Sequence, residues 1–439
     1  MRVVQVIPDF GLGGVQKAGC LLGESLARRG HEAWVVGYGP GPRQRSDSDR
    51  HLVISRDEVV ATLERLRPDI VHLHASNYEK ANPTPLLDAA GLKDAVVVVT
   101  PVFGRPPKDR SLLPRVKTCC VGLYTFYRLL KWLGWSAAAA VERGVTFAPL
   151  TPHDPPESGV STLDGGDAIR ARREEFGVPV DALVLGRIGR ATPGKWHPQA
   201  GPTVDRLLER FPFAAWLSIG MPNERGADRL AAKWPGRFVN LPETPDYERI
   251  CRFGAALDLQ LFMSFHGECF ASSICDLAGL GVPTLALSTP TKDNGQAEQV
   301  MDGVTGFLLG KGRDADAHVE RLHESPAELE QLKKSTRDYA LQNWHTDQVA
   351  ARVEQAYTNW ASDSPGAGPL GESIVAQHAA FAKEYRSRVV GLAADGPVSY
   401  AKRYAALMAA ESHTLHSVAK RALALVRKPR PKDVTTPAK

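Results

Sequence analysis

The chain has no disulfide framework. Its six cysteines are scattered over 439 residues, two of them adjacent (Cys119 and Cys120), and no Cys-x-x-Cys pair occurs. A cysteine-stapled scaffold and a zinc clamp are thereby excluded, and a reducing compartment is expected. Long apolar runs are also missing. The segment Val121 to Val141 has the length of a membrane span, but Arg128 and Lys131 sit near its centre, where a cation is costly. At the N-terminus, Pro8 and Asp9 interrupt the opening apolar stretch before it reaches signal-peptide length. Export is not expected.

Hydrophobic residues make up 43% and charged residues 23%, which disfavours both wholesale disorder and a polytopic membrane protein. At about 150 residues per domain the length allows two to three domains. The net charge of +5 is uneven: residues 401–439 carry nine Lys and Arg against Glu411 and Asp433. That basic tail reads first as a solvated end. An anionic membrane surface is the functional alternative, and specific nucleic-acid binding is not expected.

Short apolar segments alternate with amphipathic ones. Arg2 to Pro8, Glu32 to Val36, Asp69 to His74 and Ala95 to Thr100 read as buried strands. A Pro, Asp, Ser and Gly-rich stretch between Ala148 and Gly166 reads as a linker, after which the pattern restarts at Ala182 to Gly189. Further strands are expected at Ala214–Ile219, Arg237–Asn240, Leu257–Met263 and Pro283–Leu287. Two such sets imply an α/β protein with two doubly wound domains facing across a cleft, with ligands at the carboxyl ends of the strands. The expected division is 1–160, 161–345, a helix at 346–361 crossing back to the first domain, and a helical basic extension at 362–439. The segment Val121 to Val141 reads as an amphipathic core helix, with an interfacial lipid-docking helix as the alternative.

Two constellations carry chemistry. In Gly189-Arg-Ala-Thr-Pro-Gly-Lys195 a strand ends at Arg190 and a turn returns Lys195 toward it. A guanidinium can fork two oxygens and an ammonium adds a point charge, a pair that suits a diphosphate. In Met263 to Pro283, Glu268 lies in the loop after a strand and Asp276 in the helix that follows. A helix starting near Ala271 aims the N–H groups and hydroxyls of Ser272 and Ser273 into the cleft, a seat for phosphate. Blander readings apply elsewhere: His72 and His74 share one face of a strand and read as structural, and Asp47-Ser-Asp49 reads as a solvated turn.

Four motifs in the right order resemble the retaining, GT-B-fold glycosyltransferases of family 4, over most of residues 1–360. They are Gly13-Gly14 followed by a helix ending in Arg29-Gly30-His31-Glu32; Gly189-Arg190 with Lys195; Glu268 and Asp276 with Ala278, Gly281 and Pro283; and Glu298-Gln-Val-Met-Asp-Gly-Val-Thr-Gly306. The chain departs from that pattern with Asp276 in place of the usual Glu, Ala271 in place of Gly, and Thr100 to Gly104 where many relatives place a histidine. The resemblance implies a hexosyl-type transferase that keeps the anomeric configuration. Arg190 and Lys195 would hold the donor diphosphate, Glu268 the donor sugar and Asp276 the nucleotide ribose. Gly13 and Gly14 would approach donor and acceptor, and Glu298 is a supporting candidate behind the site.

A UDP- or GDP-linked sugar is the expected donor, and a glycan, lipid-linked or small-molecule hydroxyl the expected acceptor. No metal and no other cofactor is expected. The expected location is cytoplasmic, at the inner face of the membrane if the tail binds it. Two alternatives come from other classes. A nicotinamide dehydrogenase would need a third glycine where Gln16 stands and an acid after Trp34-Val-Val-Gly37. A catalytically silent, nucleotide-binding subunit would have no use for Arg190, Lys195 and Glu268 together. An epimerase within the same fold fits the first glycine loop less well than a transferase.

Overall fold

The computed structural model describes residues 1–45, 47–154, 160–364, 368–392 and 397–412. Apolar and β-branched runs form strands buried on both faces, the arrangement that a parallel sheet covered by helices requires. The first lobe holds β1 (Arg2–Ile7), β2 (Glu32–Gly37), β3 (His51–Val53), β4 (Ile70–Ala75), β5 (Val96–Pro101), β6 (Lys117–Cys120) and β7 (Val145–Phe147) in the order β3-β2-β1-β4-β5-β6-β7. The second holds β8 (Leu183–Ile188), β9 (Ala214–Ile219), β10 (Phe238–Leu241), β11 (Leu259–Phe262), β12 (Thr284–Leu287) and β13 (Gly306–Leu309) in the order β10-β9-β8-β11-β12-β13.

All these pairings are parallel, with Val3 opposite Ile70 in one sheet and Leu259 opposite Leu185 in the other. Each sheet reverses its direction of growth beside its first strand, between β1 and β4 and between β8 and β11. The crevice past the carboxyl ends of those strands is where such sheets bind ligands.

Helix α1 (Gly14–Arg28) follows the first glycine loop. The aromatic segment after β6 divides in two: α2 (Leu123–Leu133) stops at Gly134, whose φ of 69° suits glycine, and a second helix, Ala137–Glu142, starts behind a Ser136 cap. The apolar face of α2 is spent inside the protein, on Phe126, Tyr127, Leu129 and Leu130. It is a core helix, and the lipid-docking alternative has no free apolar face to use.

In the second lobe α3 (Ser272–Gly279) precedes β12, and α4 (Pro326–Asn343) leads to α5 (Thr346–Ala361). Helix α5 lies on the first lobe, where Val349, Val353 and Tyr357 pack with Val3, Leu22 and Leu26. His72 and His74 stack at 4.1 Å beneath it. Nδ1 of His72 lies 2.5 Å from the Tyr357 hydroxyl and its Nε2 2.6 Å from Thr100 Oγ1, while His74 Nε2 lies 2.6 Å from Gln5 Oε1. Burial pushes His72 well below the ordinary imidazole range and His74 to about 3. Both are neutral hydrogen-bonding members of the core.

The extension forms a hairpin of α6 (Gly368–Gly391) and α7 (Pro397–Glu411). It is wedged between the lobes: Tyr385, Val389 and Leu407 share one apolar cluster with Tyr124 and Tyr127 of α2 and with Phe262 and Ile274 of the second lobe. Of the nine tail cations only Lys402 and Arg403 fall within the described residues. The proposed basic membrane-binding tail otherwise lies outside them, as does the helix expected beyond Ser412. No helix among the described residues is long and apolar enough to cross a membrane.

Candidate active site

A cavity of about 1020 Å³ opens between the lobes. Gly13, Gly14, Arg190, Lys195, Glu268, Ser272, Ser273 and Asp276 all line it, whereas Glu298 does not. The switch point between β8 and β11 supplies its centre.

After β8 the chain passes Gly189 and Arg190 and turns through the short helix Pro193–Lys195. Trp196 is fully buried and donates from Nε1 to the Arg190 carbonyl (3.0 Å), which fixes the turn. Lys195 reaches across to Glu268, with Nζ 2.7 and 2.8 Å from the two carboxylate oxygens. Among the described residues no carboxylate pairs with Arg190, whose exposed side chain faces the cleft.

The loop carrying Glu268 depends on Gly267, whose φ is +70°. A Cβ there would lie 1.5 Å from the Asp293 carbonyl oxygen, so the tight approach of two loops requires glycine. Gln296 then receives the Glu268 N–H at 3.2 Å, and Gly295 donates to the Glu268 carbonyl at 2.6 Å.

Arg187 was not singled out from the sequence. It lies inside β8, its guanidinium between the rings of Trp196 (4.6 Å) and Phe262 (4.5 Å). It donates to the carbonyls of Met263 and Lys195, tying the two site loops together. Burial lowers its pKa to about 9, against the opposing pull of Glu268. The signal was a single arginine within an apolar strand: an unpaired buried charge is expensive unless it does something.

Helices α1 and α3 begin on opposite walls of the cleft. Gly13 and Ala271 precede them as extended N-cap residues, neither offers a side-chain cap, and neither helix has an acid in its first turn. A Cβ on Gly14 would lie 3.8 Å from Ser272 Oγ, so the two helix starts face one another closely. Uncapped first-turn N–H groups with their positive dipole ends favour an anion between them.

Asp276 is less open than the sequence implies. Its carboxylate pairs with Lys17 of α1 at 2.6 and 3.0 Å, and the side chains are 13% and 5% exposed. The His153 N–H also donates to Oδ1 at 3.1 Å. Oδ2 retains a lone pair for one more donor, so a ribose hydroxyl would join an existing inter-lobe ion pair. Beside it the His153 ring stacks on Tyr247 at 3.9 Å, and burial lowers His153 to about 4. Lys17 carried no sequence signal, because its partner lies in the other lobe and no local pattern in α1 marks it.

Glu298 requires a correction as a donor-binding candidate. Its oxygens accept the N–H groups of Leu123 (2.8 Å) and Tyr124 (2.7 Å), capping α2 from the other lobe. Burial raises its pKa to about 7, opposed by those two N–H groups. A carboxyl that titrates near 7 when folded and near its ordinary 4.5 when unfolded binds more protons in the folded state across that window. Its contribution to stability therefore falls as pH rises from about 4.5 to 7 and stays low above it. Relative to Glu298→Gln, wild type should lose about 2 kcal/mol of unfolding free energy between pH 5 and 8. A pH-independent difference in denaturant unfolding contradicts the raised pKa of Glu298.

No protein-family model matches the chain. A D-inositol 3-phosphate glycosyltransferase of Streptomyces griseus is 26% identical over 245 residues, covering 52% of this chain and 50% of that protein. The chain thus spans about half the length of the curated relatives it matches. Among solved structures, Anabaena HepE in complex with UDP aligns with a TM-score of 0.63 at 16% identity, over 82% of this chain and all of that one. A Rickettsia africae glycosyltransferase aligns at 0.64 and 15% identity, over 82% of this chain and 98% of its own. The fold is GT-B: two Rossmann-like parallel-sheet lobes with helices, closed over a common cleft.

Proposed function

We propose that this protein is a glycosyltransferase that moves a sugar from a nucleotide diphosphate to an acceptor hydroxyl with retention at the anomeric carbon. The observation that carries the reading is the convergence of Arg190, Lys195 and two uncapped helix N-termini on the cleft at the β8–β11 switch point. The bound UDP of the HepE structure supports a UDP-linked donor, and the glycosyltransferase relatives support glycosyl transfer. The motif pattern around Glu268 and Asp276 supports retention.

As the bond from the anomeric carbon to the diphosphate breaks, negative charge grows on the leaving oxygens. Arg190, Lys195 and the first-turn N–H groups of α3 are in place before the reaction and oppose that charge without reorganising. The departing oxygen takes the proton of the incoming hydroxyl, so no side-chain base is required. Glu268 holds Lys195 in position in the empty cleft and binds donor-sugar hydroxyls in the filled one. Asp276, steadied by Lys17, meets the ribose.

The test is incubation of the purified protein with a panel of nucleotide sugars, reading thermal protection and slow donor hydrolysis. One donor should protect and be hydrolysed; protection by none refutes the reading. Because the charge is met by the chain's own cations, EDTA treatment should leave turnover within about two-fold, and complete loss that added divalent metal restores contradicts metal independence. NMR of the product linkage should show the donor's anomeric configuration, and inversion refutes retention.

A further inference from the structure

One end of the cavity holds more positive charge than its acids can meet. Arg105 and Arg128 of the first lobe and Lys292 of the second line it there, and Tyr385, Leu407 and Glu411 of the hairpin close it. The acids beside them are already engaged: Asp293 with Arg128, Glu411 with Arg386 and Glu268 with Lys195. Among the described residues Arg105 and Lys292 have no carboxylate partner.

The two unpaired cations are held at one place. Arg128 donates to the Phe103 carbonyl and to Asp293, so it ties the turn that carries Arg105 to the turn that carries Lys292. The Tyr124 hydroxyl adds a bond to the Lys292 carbonyl at 3.1 Å. Arg105 is half-buried over the rings of Phe103 (5.5 Å) and Trp132 (5.9 Å), and its Nε is buried without a hydrogen-bond partner. Lys292 is exposed, with Nζ 3.6 Å from the centre of the Phe265 ring and 2.5 Å from the Phe265 carbonyl oxygen that it donates to. Ring faces attract a cation but leave its charge in place. The guanidinium therefore keeps its terminal N–H groups, and the ammonium the rest of its donors, for an acceptor oxygen from outside the chain.

The surroundings indicate what brings that oxygen. The Asp293 N–H donates to the His266 carbonyl at 3.2 Å and Gly295 to that of Glu268 at 2.6 Å, so Lys292 stands beside the loop assigned to the donor sugar. The donor's own charge is on its diphosphate, which Arg190, Lys195 and the start of α3 meet. Arg105 comes from the opposite lobe. A second anion between Arg105 and Lys292 arrives with the acceptor.

We propose that Arg105 and Lys292, one from each lobe, seat an oxyanion carried by the acceptor, a phosphate or carboxylate near the hydroxyl that receives the sugar. This deepens the glycosyltransferase reading above and rests on it. The full chain is titrated calorimetrically with UDP, with inorganic phosphate in the absence and presence of saturating UDP, and with UDP-glucose and UDP-glucuronate.

Wild type saturated with UDP should still bind inorganic phosphate saturably. Arg105→Gln and Lys292→Gln should each weaken that binding about ten-fold or more, the effect of losing one charge-assisted hydrogen bond, with UDP affinity unchanged. Lys292 is exposed, so Lys292→Gln keeps the test decisive if Arg105→Gln unfolds. Absence of phosphate binding beside bound UDP, or undiminished binding in Lys292→Gln, overturns the proposal. UDP-glucuronate should bind no tighter than UDP-glucose; a preference of about ten-fold for it that Lys292→Gln removes would put the anion on the donor sugar and overturn the acceptor assignment. Failure of UDP to bind, with phosphate bound by wild type and lost in both variants, upholds the seat and counts against the donor reading instead.

Discussion

Replacing Lys195 by alanine is expected to cut turnover about 10²- to 10³-fold, the usual effect of removing one preorganised donor to developing negative charge, while the protein stays folded. The side chain is 34% exposed and its pair with Glu268 is partly solvated, so its loss costs stability at most about 1 kcal/mol. Arg190→Ala should behave alike, since its guanidinium faces the cleft without a carboxylate partner among the described residues. Steady-state transfer kinetics beside a thermal melt decide the matter. Wild-type turnover in either variant refutes that residue's assignment, and loss of activity together with loss of fold would place the residue in the scaffold instead.

Gly267→Ala should be the most damaging single-methyl change in the second lobe. A left-handed φ of +70° costs a non-glycine residue about 1–3 kcal/mol on its own. The added carbon also meets the Asp293 carbonyl at 1.5 Å and Thr289 Oγ1 at 2.5 Å, and a backbone oxygen cannot rotate away. The loops must part, which moves Glu268 from Lys195 and Asp293 from Arg128. Gly303→Ala is the control: its φ is +76° with nothing within 4 Å, so it bears the backbone cost alone. Denaturant unfolding should show Gly267→Ala less stable than Gly303→Ala by at least about 2 kcal/mol, with transfer activity lost only in the former. Equal stabilities would mean the two loops do not approach as described.

The architecture was legible because long apolar strands and glycine-rich turns have local signatures. The two sheets, the restart near Ala182 and the helix from Thr346 follow from periodicity alone. Strands β3, β6, β7 and β13 were not expected. Each has three or four residues, and each is a strand because it pairs in parallel with a neighbouring strand of its sheet. In the site, the residues at strand ends and helix starts were readable: Arg190, Lys195, Glu268, Ser272 and Ser273 do line one cavity.

What escaped the sequence was contact between lobes. Lys17 meets Asp276 across 259 positions and Glu298 caps a helix 174 positions away, so no local pattern encodes either pair. The same holds for the hairpin, whose Tyr385 and Leu407 enter the cleft only because the chain returns to it at its end. Arg187 is the intermediate case, since a charge within β8 was visible but its burial between two rings was not.

The account rests most heavily on a nucleotide diphosphate gripped by Arg190 and Lys195 between the lobes. Calorimetric titration of UDP into wild type and into the Arg190→Ala/Lys195→Ala double variant tests this directly. The account predicts saturable binding to wild type, weakened at least about 100-fold in the double variant. Equal affinity in the two proteins would contradict it.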